Sequence, residues 1–197
     1  MLFLLHAPIP PSELRGGDAR AAQSAAAHAL LDGLLQRLGM SEEPRAKNEH
    51  GRPYLKHRSD VDFNLSHTAA LAVCALLCDT SAQPRVGVDA EELVSYSEEK
   101  LAAFSARFFA PCEQQYVAGS ITPREAFTRV FVRKEAYAKY RGDGLGMHLR
   151  NTDTLAPDFE QNHGVRFLTY REQDTFITLC LPQTCREQPQ TALLPLL

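Results

Sequence analysis

The sequence predicts an α+β fold, on three observations. Short apolar runs of strand length recur at Met1–Leu5, Phe63–Leu65 and Ala70–Leu77, with more near the C-terminus. Longer stretches, above all Ala21–Leu38 and Thr122–Lys139, place apolar residues at helical spacing. Each half of the chain holds a similar supply of both kinds, with no obvious sequence repeat.

Taken in order, Met1-Leu2-Phe3-Leu4-Leu5 reads as a first strand. It is short, has no basic prefix and soon meets Pro8, Pro10 and Pro11, which is unlike a secretion signal. Leu30, Leu31, Leu34, Leu35 and Leu38 give the first helix its period, and Gly39 supplies a stop. Residues 41–60 are polar, with Gly51-Arg52-Pro53-Tyr54 as their one compact turn signal. Two strands follow, joined around Ser66-His67-Thr68. Thr80 to Pro84 reads as a connector between an N-terminal half, 1–82, and a C-terminal half, 83–197.

The second half begins with a strand from Arg85 to Asp89. Ser95 and Glu98 have capping-box spacing ahead of Leu101, Phe104 and Phe108. Pro111 restarts a helix, and Thr122-Pro123-Arg124-Glu125 opens another, with Thr122 as cap and Glu125 reaching back from the third position. Gly142-Asp143-Gly144 ends that helix. Val165–Thr169 and Thr175–Leu181 form a closing hairpin, and the tail after Gln183 is expected to be irregular.

The composition is that of a soluble globule, 44% hydrophobic and 23% charged over 197 residues. Twenty-one Lys and Arg stand against 24 Asp and Glu, for a formal charge of -3. That balance argues against nonspecific nucleic-acid binding, in which phosphate neutralisation dominates. No apolar run approaches the roughly 18 residues of a membrane span. The five cysteines are odd in number and lack paired metal-ligand spacing, so buried thiols in a reducing cytoplasm are expected.

Two segments carry most of the chemistry. Gly87-Val88-Asp89-Ala90-Glu91 puts two carboxylates at i and i+2, on one side of an extended backbone, with Ala90 pointing away between them. Such a pair is by itself more often solvated surface. Phe131-Val132-Arg133-Lys134-Glu135-Ala136-Tyr137-Ala138-Lys139 puts a carboxylate and an ammonium one helical turn apart. Alone, Glu135 and Lys139 would be an ordinary helix pair. Together, three acids and a lysine could hold a hard cation such as Mg2+ and handle a phosphate ester.

Glu135 could also accept a proton from an attacking hydroxyl, and Lys139 could stabilise a leaving phosphate without any depressed pKa. Ser66-His67 interrupts two apolar strands; a lone histidine is more often structural, and no nucleophile elbow supports a hydrolase triad. A guanidinium forks onto two oxygens, so Arg52 could bind phosphate, although a solvated loop arginine is the commoner case.

The order of these motifs resembles the 4'-phosphopantetheinyl transferases, of the type that activates surfactin synthetase. That family carries Gly-Lys/Arg-Pro, Asn-x-Ser-His, Gly-Ile/Val-Asp-x-Glu, and Trp-Ser/Cys/Thr-x-Lys-Glu-Ala/Ser-x-x-Lys with a Gly-x-Gly-Leu exit. The matching residues here are Gly51-Arg52-Pro53, Asn64-Leu65-Ser66-His67, Gly87 to Glu91, and Phe131 to Lys139 followed by Gly142-Asp143-Gly144-Leu145. The agreement covers residues 45–150.

The resemblance implies a pseudo-twofold pair of α+β halves with coenzyme A in the cleft between them. It implies Mg2+ held by Asp89, Glu91 and Glu135, with Glu135 also as general base and Lys139 as the leaving-group lysine. Arg52, Ser66 and His67 match positions that hold the phosphates of coenzyme A, and Lys134 matches a position near them. The implied reaction moves 4'-phosphopantetheine onto a serine of an apo acyl, peptidyl or polyketide carrier protein, releasing 3',5'-ADP, with neither nucleic acid nor membrane as partner.

An amphipathic region around Phe104, Phe108 and Phe109 is a candidate carrier-docking surface, against core packing for each ring. The departures are Phe131 for the usual Trp, Val132 for a small polar residue, and His28 where the family often has an arginine, with Arg20 nearby. A catalytically weakened module that binds coenzyme A or a carrier is the alternative reading.

Overall fold

The protein is described by a computed structural model, in residues 1–10, 18–79, 83–142 and 149–193. In chain order the elements are β1 (Leu2–Pro8), α1 (Ala19–Arg37), β2 (Arg45–Lys47), β3 (Pro53–Leu55), β4 (Val61–His67), β5 (Leu71–Cys78) and β6 (Gly87–Glu92). They continue with α2 (Glu98–Phe108), α3 (Pro111–Ala118), α4 (Pro123–Arg141), α5 (Phe159–His163), β7 (Val165–Glu172), β8 (Thr175–Pro182) and β9 (Gln190–Leu193). A 3-10 turn, Leu149–Asn151, precedes α5. The fold is α+β.

One sheet has the order β4-β5-β1-β9 and a second has β6-β8-β7. All pairings in them are antiparallel except β1 with β9. The sheets lie face to face between α1 and α4. Strand β5 shows why its sequence is apolar throughout. Ala72, Cys74 and Leu76 pack with Leu30, Leu31, Leu34 and Leu35 of α1. Leu71, Val73, Ala75 and Leu77 instead meet Val86, Val88, Ala90, Ile177 and Leu179 of the second sheet. A strand covered on both faces has no polar side to show. Beyond the second sheet, Cys180 packs with Ala136 and Tyr137 of α4.

Helix ends follow local chemistry, with three differences from expectation. Asp18 caps α1 by accepting the N–H groups of Arg20 and Ala21. Ser97, not Ser95, caps α2 by accepting the Lys100 N–H. Thr122 makes no side-chain cap bond at α4. Glu125 turns outward to Arg129 and Arg171 instead of reaching back. Gly142 closes α4 at φ 76°, where a side chain would be strained; Asp143, Gly144 and Leu145 lie outside the described residues.

Residues 41–60 hold the two-stranded ribbon β2–β3, turned by Gly51 at φ 82° with Asn48 accepting the His50 and Arg52 N–H groups. The C-terminal tail is not wholly irregular, since β9 adds parallel to β1. The described cysteines are all free thiols. Cys74 is fully buried, and burial pushes its thiol up to about 12. Among the described residues, no helix is long and apolar enough to cross a membrane.

Candidate active site

The site forms where β6 is pressed between β4 and α4. Val86, just ahead of β6, and Val88 and Ala90 on it point into the apolar layer between the sheets. Gly87, Asp89 and Glu91 therefore share the opposite side. Gly87 lets α4 approach: a Cβ there would overlap the Ala136 carbonyl oxygen and the Tyr140 amide nitrogen. The same closeness brings Asp89 and Glu91 to the strip of α4 that carries Glu135 and Lys139.

Strand β4 fixes β6 from its other edge with side chains. Asp62, Asn64 and Ser66 accept the backbone N–H groups of Val86, Val88 and Ala90, at 2.8, 2.9 and 3.2 Å. Between them, Val61, Phe63 and Leu65 pack toward α1. Ser66 also donates to Asp89 Oδ1 at 2.9 Å and accepts from Lys139 Nζ at 3.0 Å. Its hydroxyl thus orients Asp89 and is saturated by protein groups.

Lys139 Nζ stands 2.8 Å from Asp89 Oδ1 and also reaches the Leu65 carbonyl at 3.4 Å. Glu91 is pushed up to about 7 by burial, and then by the charges of Asp89 and Glu135. Glu135 is also pushed up to about 7, by burial and then Asp89, against the pull of Lys139. The three acids share one electrostatic neighbourhood, but among the described residues no three side chains form a ready-made metal cage. A hard cation suits such a donor set: oxygen ligands only, two of them pushed toward protonation by burial and by neighbouring carboxylates.

His67 follows Ser66 at the end of β4 and is half-buried. Burial, Lys139 and Arg20 hold its imidazole below the ordinary value, so it is neutral near pH 7. Arg20 thus belongs to the His67 neighbourhood, whereas His28 sits among Arg45, Asp32 and Lys47. A cavity of about 190 Å³ next to Lys139 is lined by His50, Arg52, Pro53, Asn64 and Gly142.

Two of the residues matched to phosphate-binding positions are engaged by protein partners. Lys134 is 1% exposed and its Nζ bonds Glu113 and the Thr152 carbonyl, away from the acids. The helix explains this: neighbouring residues lie about 100° apart, so Lys134 cannot share the strip of Glu135. Arg52 lines the cavity wall, yet its Nη atoms bond Asp62 at 2.6 Å, the Val86 carbonyl at 2.8 Å and the Lys139 carbonyl. It clamps β4, β6 and the end of α4 together.

The departures in α4 are also placed. Val132 is fully buried, and Phe131 stacks on Phe127 with ring centroids 5.9 Å apart. Phe109 is fully buried, while Phe104 and Phe108 are partly buried at the edge of the same aromatic cluster. Core packing is the observed role of Phe109.

Sequence reasoning missed Asp62 and Glu113. For Asp62 a signal exists: Asp62, Asn64 and Ser66 alternate with apolar residues, a polar stripe on a strand between two covered faces. Glu113 accepts from Ala110 N–H at 2.9 Å, from Thr154 N–H at 2.9 Å and from Thr154 Oγ1 at 2.7 Å, besides Lys134. No spacing rule links it to Thr154.

The family model of the 4'-phosphopantetheinyl transferase superfamily matches residues 85–188, just over half of the chain and including Asp89, Glu91, Glu135 and Lys139. The chain belongs to that superfamily. It is 36% identical over 102 residues to the 4'-phosphopantetheinyl transferase HetI of Nostoc sp., covering 48% of this chain and 40% of that protein. It is 28% identical over 103 residues to a 4'-phosphopantetheinyl transferase of Bacillus subtilis, covering 51% of this chain and 42% of the relative. The chain thus spans less than half of either relative. Within this superfamily, the acids of β6 and the strip of α4 form the candidate active site.

Proposed function

We propose that this protein transfers 4'-phosphopantetheine from coenzyme A to a serine hydroxyl of an apo acyl, peptidyl or polyketide carrier protein, as a transferase of the surfactin-synthetase-activating type. The observation that carries the reading is the pairing of Glu135 with Lys139 on one strip of α4, packed against Asp89 of β6. Coenzyme A lies in the cleft between the 1–82 and 83–197 halves, and the reaction takes place in the cytoplasm.

The serine oxygen attacks the β-phosphorus of coenzyme A as the bond to the departing 3',5'-ADP breaks. Glu135, directly or through water, takes the serine proton. Lys139 leaves Asp89 for the departing phosphate, whose developing charge it stabilises. Asp89, Glu91 and Glu135 would hold Mg2+, which when bound neutralises pyrophosphate charge and polarises the β-phosphoryl group. His67 and Arg20 contact the phosphates of coenzyme A; Ser66 and Arg52 support them by fixing Asp89 and the cavity wall.

Intact-mass analysis of acyl, peptidyl and polyketide apo-carriers, incubated with the protein, coenzyme A and magnesium, tests the reading. Gain of one phosphopantetheine by at least one carrier, with equimolar 3',5'-ADP, is expected. Unmodified carriers in all three classes would overturn it.

A further inference from the structure

Lys139 is held at both ends by one strand. Its ammonium reaches the Leu65 carbonyl and, at 3.0 Å, the Ser66 hydroxyl of β4. Its own carbonyl, in the last turn of α4, accepts from Arg52 Nη1. Arg52 Nη2 in turn donates to Asp62 Oδ2, also of β4, at 2.6 Å. Carbonyls in a last helical turn run out of intrahelical N–H partners, so a side-chain donor there fixes where the helix end lies. A cation also suits the negative end of the helix dipole. Gly142 leaves room for this arm, since a Cβ there would lie 3.1 Å from Arg52 Cδ.

The pair is nearly closed to water, with the Arg52 and Asp62 side chains 9% and 13% exposed. An ion pair so buried is a poor source of net stability, because desolvation offsets the attraction. Its use lies in geometry. An arginine has many rotamers, and Asp62 holds the guanidinium in the one that meets the Lys139 carbonyl and, at 2.8 Å, the Val86 carbonyl. We infer that Asp62 is a positioning residue: through Arg52 it sets the place of Lys139 relative to the departing phosphate, and it touches no substrate itself. The inference rests on the transferase reading above. Asp62 also accepts the Val86 N–H at 2.8 Å, so a test must separate the two tasks. An asparagine at this position keeps a carbonyl oxygen for that N–H and removes the charge that holds Arg52.

A double-mutant cycle on the full chain tests this. Single-turnover transfer from coenzyme A with magnesium, to an apo-carrier that the parent modifies, is measured for the parent, Asp62→Asn, Lys139→Ala and the double variant. Melting curves verify that each is folded. Asp62→Asn is expected to slow transfer about tenfold to 100-fold, as for a displaced reacting group. Where Lys139 is already Ala, the same change should cost less than about twofold, because the group it positions is gone. Equal slowing in both backgrounds, or parental transfer by folded Asp62→Asn, would overturn the role. Hydrogen exchange reads the same arm without the reaction. The buried Gly142 amide, bonded to the Ala138 carbonyl at 2.9 Å, should exchange faster in Asp62→Asn, and the Leu38 amide of α1 should not. An unchanged Gly142 amide would also overturn the inference. A parent that modifies no carrier would instead sink the transferase reading, and the exchange rates would then decide whether Asp62 holds the end of α4.

Discussion

Asn64 Oδ1 accepts the backbone N–H of Val88 at 2.9 Å, the middle bond of three by which β4 side chains complete the edge of β6. An edge strand ordinarily leaves such groups to water or to another chain. Here both strands repeat every two residues, so Asp62, Asn64 and Ser66 meet Val86, Val88 and Ala90 in step. The register puts Ser66 beside Asp89.

Asn64→Ala should destabilise the fold by about 1–3 kcal/mol, because the Val88 N–H would be buried without an acceptor. Urea unfolding of parent and variant measures this. An unchanged midpoint would mean that the bond does not hold β6 in place.

Gly87→Ala should do comparable or greater damage by another route, since its Cβ would meet α4 backbone and not a yielding side chain. Overpacking of this kind costs about 1–3 kcal/mol. Carrier modification should fall further than stability does, as α4 takes Glu135 and Lys139 with it. A variant with parental turnover and melting temperature would refute this account of the close approach.

The buried Lys134–Glu113 pair makes the opposite kind of test. Lys134→Met strands a carboxylate that has no exposure, and breaking such a pair costs about 3–5 kcal/mol. Adding Glu113→Gln should recover part of the loss, because the amide can still accept from Thr154. A double variant no better than Lys134→Met would argue that packing, not charge, is what the pair supplies.

These relationships show what the sequence made legible. Strands β1, β4 and β5, helices α1 and α4, and the β7–β8 hairpin were readable because each carries enough apolar periodicity. Strands β2 and β3 span three residues each and are mostly polar, too short for any period. Strand β9 was hidden because its partner, β1, lies at the other end of the chain. The spacing of Asp89, Glu91, Glu135 and Lys139 was legible in the sequence. The Glu113 partner of buried Lys134 was not, since it stands on another helix 21 residues away.

In magnesium-free protein, Glu135→Gln should be stabilising, and more strongly so at pH 8 than at pH 5.5. Folded Glu135 is raised to about 7 from an ordinary 4.5. Between those values the folded state binds a proton that the unfolded state releases, so stability falls as pH rises through 7. Glutamine carries no such charge. Melting temperatures in chelator at both pH values test the sign; a difference independent of pH would show that neither burial nor Asp89 disfavours the Glu135 charge. With magnesium and coenzyme A in excess, the same variant should lose most carrier modification, having no carboxylate to accept the serine proton.

Lys139→Ala separates structural from chemical work on the α4 strip. The ammonium is only partly buried, and its removal leaves Asp89 with the Ser66 hydroxyl still donating at 2.9 Å. A small fall in melting temperature is therefore expected. If Lys139 moves to the departing phosphate, removing it eliminates charge stabilisation that matters most in the transition state. Loss of one such donor typically slows the chemical step about 100-fold to 1,000-fold. Single-turnover transfer to an apo-carrier, at saturating coenzyme A and magnesium, measures that step without product release. A folded variant transferring within about threefold of the parent rate, well short of that range, would confine Lys139 to its pairing with Asp89.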